Sequence, residues 1–190
     1  MLINDLIYRN RSYRRFDESV RISEQQLIDW IGLARFSASA RNAQPLKFVP
    51  LWEKERCDKL FPLLGWAGYL KDWNGPKSGE RPSAYILMLN DTDITTNYFC
   101  DDGIAAQSIL LGAVEAGFGG CMIASVKKEK LRELFQIPDR FQILMVLAIG
   151  KPVEEVVIEN IKDGGYKYWR DEQGVHHVPK RSLDELILKL

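Results

Sequence analysis

The sequence predicts an α+β domain with a central mixed sheet, on three observations. Segments with helical apolar spacing alternate with apolar runs of strand length along all 190 residues. Neither a Gly-x-Gly-x-x-Gly turn nor a Walker lysine accompanies them, so a Rossmann dinucleotide site and a phosphate-cradling P-loop are poorly supported. No internal repeat, low-complexity tract or linker divides the chain, which is long enough to bury a substantial core without disulfides or structural metal. We therefore expect a single domain over residues 1–190, with 160–190 as a C-terminal arm and helix.

Leu2, Leu6 and Ile7 at helical spacing predict a short opening helix. Ser23 with Gln26 forms a capping box ahead of Leu27, Ile31 and Ala34, predicting a second helix that ends near Phe36. Residues 46–52 read as a strand, and Pro50 within it points to a sheet edge or a strand end. Lys54 to Leu64 reads as a helix with Cys57, Leu60, Phe61 and Leu64 inward, and Ala84 to Leu89 as a strand buried on both faces. The long segment 65–82, with Trp66, Tyr69 and Trp73 among glycines and prolines, fits either a functional cover or a loop pinned by its aromatic rings. Gly103 to Ala116 is apolar enough for the core or a subunit interface. Gly117 caps that helix, and Cys121 to Ala124 is a short strand whose glycine entry would let a ligand approach the backbone. Lys127 to Phe135 predicts a helix with Leu131, Leu134 and Phe135 inward. Phe141 to Ile149 predicts a strand closed by Gly150 and Pro152. Turns at 163–165 and 171–174 with extended residues 166–169 and 175–178 suggest a hairpin or arm. Ser182 and Glu185 cap a last helix carrying Leu183, Leu186, Ile187 and Leu190.

Lysines and arginines number 26 and acidic residues 26, so the global basic field of a non-specific nucleic-acid binder is absent. The start of the chain lacks a cationic leader and an apolar run, and no later stretch is long enough to span a bilayer, so a soluble, unexported, cytoplasmic protein is expected. Cys57, Cys100 and Cys121 match neither a disulfide framework nor a zinc site, and should be reduced and mostly buried. His176 and His177 are the only histidines, and they are adjacent, which rules out a three-histidine metal site and argues against a histidine-centred triad. Chemistry must then come from a cofactor or from carboxylates.

Two stretches stand out as binding elements. Arg9-Asn10-Arg11-Ser12-Tyr13-Arg14-Arg15 gathers four guanidinium groups and a hydroxyl, a donor set matched to phosphate oxygens; a solvated basic loop fits the same residues. Ser37 to Pro45 is small and polar, without amphipathic period, and either connects helix to strand or offers hydrogen bonds to an amide-rich ligand.

The order of elements and three motifs resemble the FMN-dependent nitroreductase family over nearly the whole chain. The first motif is Arg-Ser-x-Arg, here Arg11-Ser12-Tyr13-Arg14, whose side chains in the family hold the FMN phosphate. Asn10 stands where many members carry arginine, leaving Arg9 or Lys180 to supply the cation. The second is Pro-Ser-x-x-Asn-x-Gln-Pro, here 38–45 with Ala38 in place of the leading proline; the resemblance implies that Ser39, Asn42 and Gln44 reach the flavin across a dimer interface. The third joins Ala105-Ala106-Gln107 to Gly117-Phe118-Gly119-Gly120-Cys121, where family backbones pass the flavin ring near Gly119 and Gly120. Val178-Pro179-Lys180-Arg181 resembles the basic pair that completes the phosphate site.

The resemblance implies a mainly antiparallel central sheet flanked by helices, and a homodimer with FMN at its interface. It also implies hydride transfer from NAD(P)H through FMN to a small acceptor such as a nitroaromatic or quinone. No side chain is assigned as a catalytic acid, and no metal, nucleic acid or membrane partner is expected. Other outcomes on the same scaffold are a dehalogenase or flavin-degrading relative and an FMN-binding protein without turnover. Trp66 and Tyr69 are candidates for covering the substrate side of the ring.

Overall fold

A strand with no exposed position forms the middle of the molecule. In the computed structural model, which describes residues 2–189, β3 (Ala84–Asp91) is buried throughout. It lies between β2 (Leu46–Leu51) and β5 (Phe141–Pro152), antiparallel to both. The far side of β5 pairs with β4 (Gly119–Ile123) and, further along, with β1 (Phe16–Asp17), completing a five-stranded antiparallel sheet. The period of two sorts its side chains to two faces. Ala84, Ile86 and Met88 meet Leu27, Trp30 and Ala34 of α2 (Glu24–Arg35) and Ala106, Ile109 and Ala113 of α4 (Asp101–Glu115). Tyr85, Leu87 and Leu89 meet Cys57 and Leu60 of α3 (Lys54–Leu60) and Leu131 of α5 (Lys128–Phe135). The short α1 (Ile3–Arg9) lies against α4 and has no fully buried residue, Leu6 being half-buried.

Parallel pairing occurs outside the main ladder. Ser12 bridges to Gly120 in parallel, and a second sheet joins β6 (Val156–Asn160) in parallel to β8 (His176–Lys180), which pairs antiparallel with β7 (Trp169–Arg170). The expected hairpin is therefore one part of a three-stranded sheet, and its strand covers Trp169 but not Tyr166 to Tyr168. Among the described residues no helix is long and apolar enough to cross a membrane.

Local chemistry accounts for most boundaries. The Ser23 hydroxyl accepts the Gln26 N–H while Gln26 Oε1 accepts the Ser23 N–H, and Ser182 with Glu185 repeats the device at α6 (Leu183–Leu186). Leu183 and Leu186 remain exposed, and Leu190 lies outside the described residues. Pro50 sits in the edge strand, where a missing N–H costs no ladder bond. The helix expected to run to Leu64 ends at Leu60 and tightens into a 3-10 turn at Phe61–Leu63, because Pro62 cannot donate to an α-helical ladder. Leu134 is exposed rather than inward, leaving Leu131 as the buried residue of α5. All three cysteines are free; Cys57 and Cys121 are buried and Cys100 is exposed.

The clearest correction concerns β5, which continues through Gly150 to Pro152 rather than closing there. Gly150 is needed for space: a Cβ on it would come within 2.8 Å of the ring of Phe16, a fully buried residue. The glycine lets β1 dock and carries the N-terminal segment alongside the sheet. Gly150→Ala is expected to destabilise the fold by about 1–3 kcal/mol through overpacking. Urea denaturation reads this as a lowered midpoint with unchanged slope; an unchanged midpoint would refute the packing account.

Candidate functional site

Residues 10–15 leave α1 without regular structure and are tied down at several points. The Tyr13 N–H donates to the Gly120 carbonyl at 3.1 Å. Asn10 Nδ2 donates to Gln107 Oε1 on α4 at 3.2 Å. Arg15 grips Glu80 through Nε and Nη2 at 2.9 and 2.8 Å, holding the Glu80 carboxyl below the usual range. The strongest tether is Glu154. Its side chain is fully buried, its Oε1 accepts the peptide N–H groups of Arg14 and Arg15, and its Oε2 accepts Arg170 Nη2 at 3.0 Å.

This anchoring presents Arg11, Ser12 and Arg14 to a cavity of about 300 Å³, whose other walls include Tyr168, His176 and Lys180. Arg11 Nη2 donates to the Ile7 carbonyl at 2.6 Å, but its buried Nε has no partner. Arg14 packs over the Tyr168 ring at 4.9 Å and sets Nη1 between the Ser12 carbonyl, at 3.0 Å, and His176 Nε2, at 3.3 Å. Burial and the Arg14 and Arg170 cations push His176 down to about 4. A second cavity of about 180 Å³ shares Arg14 and Tyr168 with the first, and is walled by Trp66, Ala67 and residues 122–125.

Segment 65–82 is pinned along this flank. Trp66 meets Phe61 and Trp73, while Tyr69 meets Tyr166 and Tyr168 with ring centroids 6.3 and 4.9 Å apart. The two glycines expected to admit a ligand also give room to neighbouring protein groups. A Cβ on Gly119 would strike the Tyr13 ring at 2.5 Å, and one on Gly120 the Ala148 carbonyl at 2.6 Å.

The loop holding Ser39, Asn42 and Gln44 is built independently. Ser39 Oγ donates to Asp101 Oδ2 at 2.6 Å and accepts the Gln44 N–H at 2.9 Å, while Asp101 Oδ1 takes the Ala40 N–H at 2.9 Å. Gln44 Nε2 donates to Asn42 Oδ1 at 3.1 Å, and Arg41, Asn42 and Gln44 hold positive φ of 54, 55 and 51°. Ser39, Gln44 and Asp101 line a groove of about 270 Å³ with Ile31, Phe48 and Ala105, and it shares no residue with the arginine cavity. One chain thus gathers Arg11, Ser12, Arg14 and Lys180, and keeps Ser39, Asn42 and Gln44 elsewhere. Arg181 turns to Glu185, donating from Nη1 at 3.0 Å, and does not line the cavity that Lys180 enters.

Comparison with known proteins now bears on this arrangement. Residues 79–151, which span β3 to β5, match the model of the nitroreductase family. Over these residues the chain is similar to the nitroreductase family. It is 23% identical over 180 residues to the Bacillus subtilis protein provisionally named NAD(P)H nitroreductase YodC, covering 79% of this chain and 89% of that one. It is 22% identical over 162 residues to FMN reductase (NADPH) of the same organism, covering 78% and 65% respectively. The solved FMN-dependent nitroreductase of Clostridium difficile R20291 superposes with a TM-score of 0.67 at 20% identity, over 90% of this chain and 99% of that one. The nitroreductase fold is thus present over most of the chain.

Four residues carry site geometry without a sequence signal: Glu154, Asp101, Tyr168 and His176. Glu154 and Asp101 each stand beside a second acidic residue, and nothing in the string separates the buried one from its neighbour. Removing the Glu154 carboxylate leaves Arg170 and two peptide N–H groups unpaired in the interior. Glu154→Ala should therefore cost on the order of 3–5 kcal/mol. Thermal and urea unfolding check this, and a loss confined to the range of an ordinary surface substitution would remove Glu154 from its central place.

Proposed function

We propose that the chain is an FMN-containing oxidoreductase that accepts a hydride from NADH or NADPH and passes electrons to a small acceptor such as a nitroaromatic or a quinone. The observation that carries this is the convergence of Arg11, Ser12, Arg14 and Lys180 on one cavity, with a buried Arg11 Nε left unpaired. An unpaired buried guanidinium donor is costly, and a phosphate oxygen is its natural partner. The names of the relatives, an FMN reductase using NADPH and an FMN-dependent nitroreductase, support the same cofactor and donor.

FMN supplies reversible two-electron chemistry, which no side chain of the site offers. The chain's part is to bind and orient. Arg11, Arg14 and Lys180 would offset the phosphate charge, and the Ser12 hydroxyl would complete the donor set. Arg14, placed between the two cavities, joins the phosphate end to the one bounded by Trp66, Tyr168 and the backbone of residues 122–125. Peptide N–H groups along that wall would steady negative charge on a reduced ring, and Trp66 and Tyr168 would limit its contact with water.

A homodimer would complete the site. Ser39, Asn42 and Gln44 do not line the arginine cavity of their own chain, and a second copy would bring them there. Exposed Leu2, just before α1, and Ile3, Ile7 and Tyr8 on it, with Ile28, Leu33 and Phe36 on and beside α2, leave apolar surface for such a contact. α4 contributes less than its sequence suggests, since most of its apolar residues are used in the core.

Arg11→Ala and Arg14→Ala each remove a charge-assisted contact worth about 1.5–3 kcal/mol, so FMN affinity should fall roughly tenfold to hundredfold. Flavin fluorescence quenching measures this, and unchanged affinity in both variants contradicts the assignment. Anaerobic mixing of the flavin-loaded protein with NADH or NADPH should bleach the flavin band; failure with both donors would leave an FMN-binding protein without turnover. Sedimentation of the loaded protein should give a dimer, and a loaded monomer would contradict the shared site.

A further inference from the structure

Strand β8 brings His176 into the arginine cavity, and neither the sequence motifs nor the flavin site described above uses it. The residue is 1% exposed. Its Nε2 lies 3.3 Å from Arg14 Nη1. A guanidinium has only donors, so the imidazole nitrogen facing it accepts, and the neutral ring carries its proton on Nδ1. Nδ1 is buried and has no partner among the described residues. Arg14 faces the ring from the N-terminal segment, Arg170 from β7, and His177 from the next position of β8. Tyr168 packs on it with centroids 5.2 Å apart, and Lys180 stands further along the same strand and cavity. The neighbouring Glu154 carboxylate is already engaged by Arg170 and by the Arg14 and Arg15 peptides.

We propose that His176 is a proton-coupled donor to the phosphate of the cofactor: a dianionic phosphate monoester enters this cavity together with one proton from solvent, which His176 takes at Nε2. This rests on the flavin assignment above. In the free protein Arg14 occupies the Nε2 lone pair. When Arg14 turns its Nη1 to the ligand, that lone pair is left facing phosphate oxygens, acceptor against acceptor. Protonation makes Nε2 a donor, and the ligand's negative charge offsets the surrounding cations that hold the free imidazole neutral. The only bond formed is N–H. Because the imidazole is more basic in the complex than in the free protein, the extra affinity is present at lower pH and is lost as the pH rises through the value in the complex.

The test is FMN binding to the flavin-free protein between about pH 7 and 8.5, a window above the second phosphate ionisation near 6. Calorimetry in two buffers of different ionisation enthalpy counts the protons taken up. The wild type should take up a substantial fraction of a proton at the lower end of the window and bind FMN several-fold more weakly at the upper end. His176→Asn should bind with no uptake and with a flat pH profile. Equal uptake in both proteins, or FMN binding to the wild type without uptake, overturns the role of His176 and leaves the flavin site standing. Failure of the wild type to bind FMN overturns both. A measurement on the wild type alone covers a misfolded variant. The chain has only two histidines, so NMR resolves two imidazole signals, assigned through His177→Asn. The His176 signal must titrate at higher pH with FMN than without it, and identical midpoints overturn the proposal.

Discussion

A carboxylate removed from water must find donors, and the fully buried Glu154 finds three of them in two stretches of chain far apart in sequence. Its two oxygens collect the Arg14 and Arg15 peptide N–H groups and the Arg170 guanidinium. The first two fix the backbone of the arginine segment after it leaves α1, alongside the Ser12–Gly120 bridge and the Asn10–Gln107 and Arg15–Glu80 contacts. The third fixes β7, and with it β8 and the side chains of His176 and Lys180. The direction in which Arg11 and Arg14 point, and the presence of any wall opposite them, both follow from how this charge is satisfied.

The same economy explains why the candidate binding residues fall into two groups within one chain. Asp101 does at the start of α4 what Glu154 does at the end of β5: it accepts the Ser39 hydroxyl and the Ala40 N–H, fixing a loop whose residues 41, 42 and 44 take left-handed backbone conformations. Each buried acid thus organises one irregular, polar segment on the rim of a rigid sheet. The two segments border separate cavities that share no residue.

Much of the fold was legible in the sequence because its cause is local. The all-buried β3 shows as an apolar run, the two capping boxes show as Ser-x-x-Gln and Ser-x-x-Glu, and the edge position of β2 shows in Pro50. What was hidden depends on residues distant in sequence. Gly150 looks like a strand end until Phe16 is seen to need its space, and the packing of Tyr13 against Gly119 is equally invisible in the string. In the site, the Arg-Ser-x-Arg spacing shows which side chains are offered, but not that Lys180 enters the cavity while its neighbour Arg181 pairs with Glu185. The adjacent histidines argued against metal and triad chemistry, and so drew attention away from His176. Its buried place opposite Arg14 is set by the β6–β8 pairing, which no local pattern announces.

The central claim is that one chain's Arg11, Arg14 and Lys180 hold the cofactor phosphate while a second chain's Ser39 loop reaches the same molecule. A crystal structure of the FMN-loaded protein tests it most directly. The account predicts the phosphate within hydrogen-bond distance of Arg11, Arg14 and Lys180, with Ser39, Asn42 or Gln44 from the other copy contacting the same flavin. A phosphate seated away from these three cations, or a flavin enclosed by one chain alone, would contradict it.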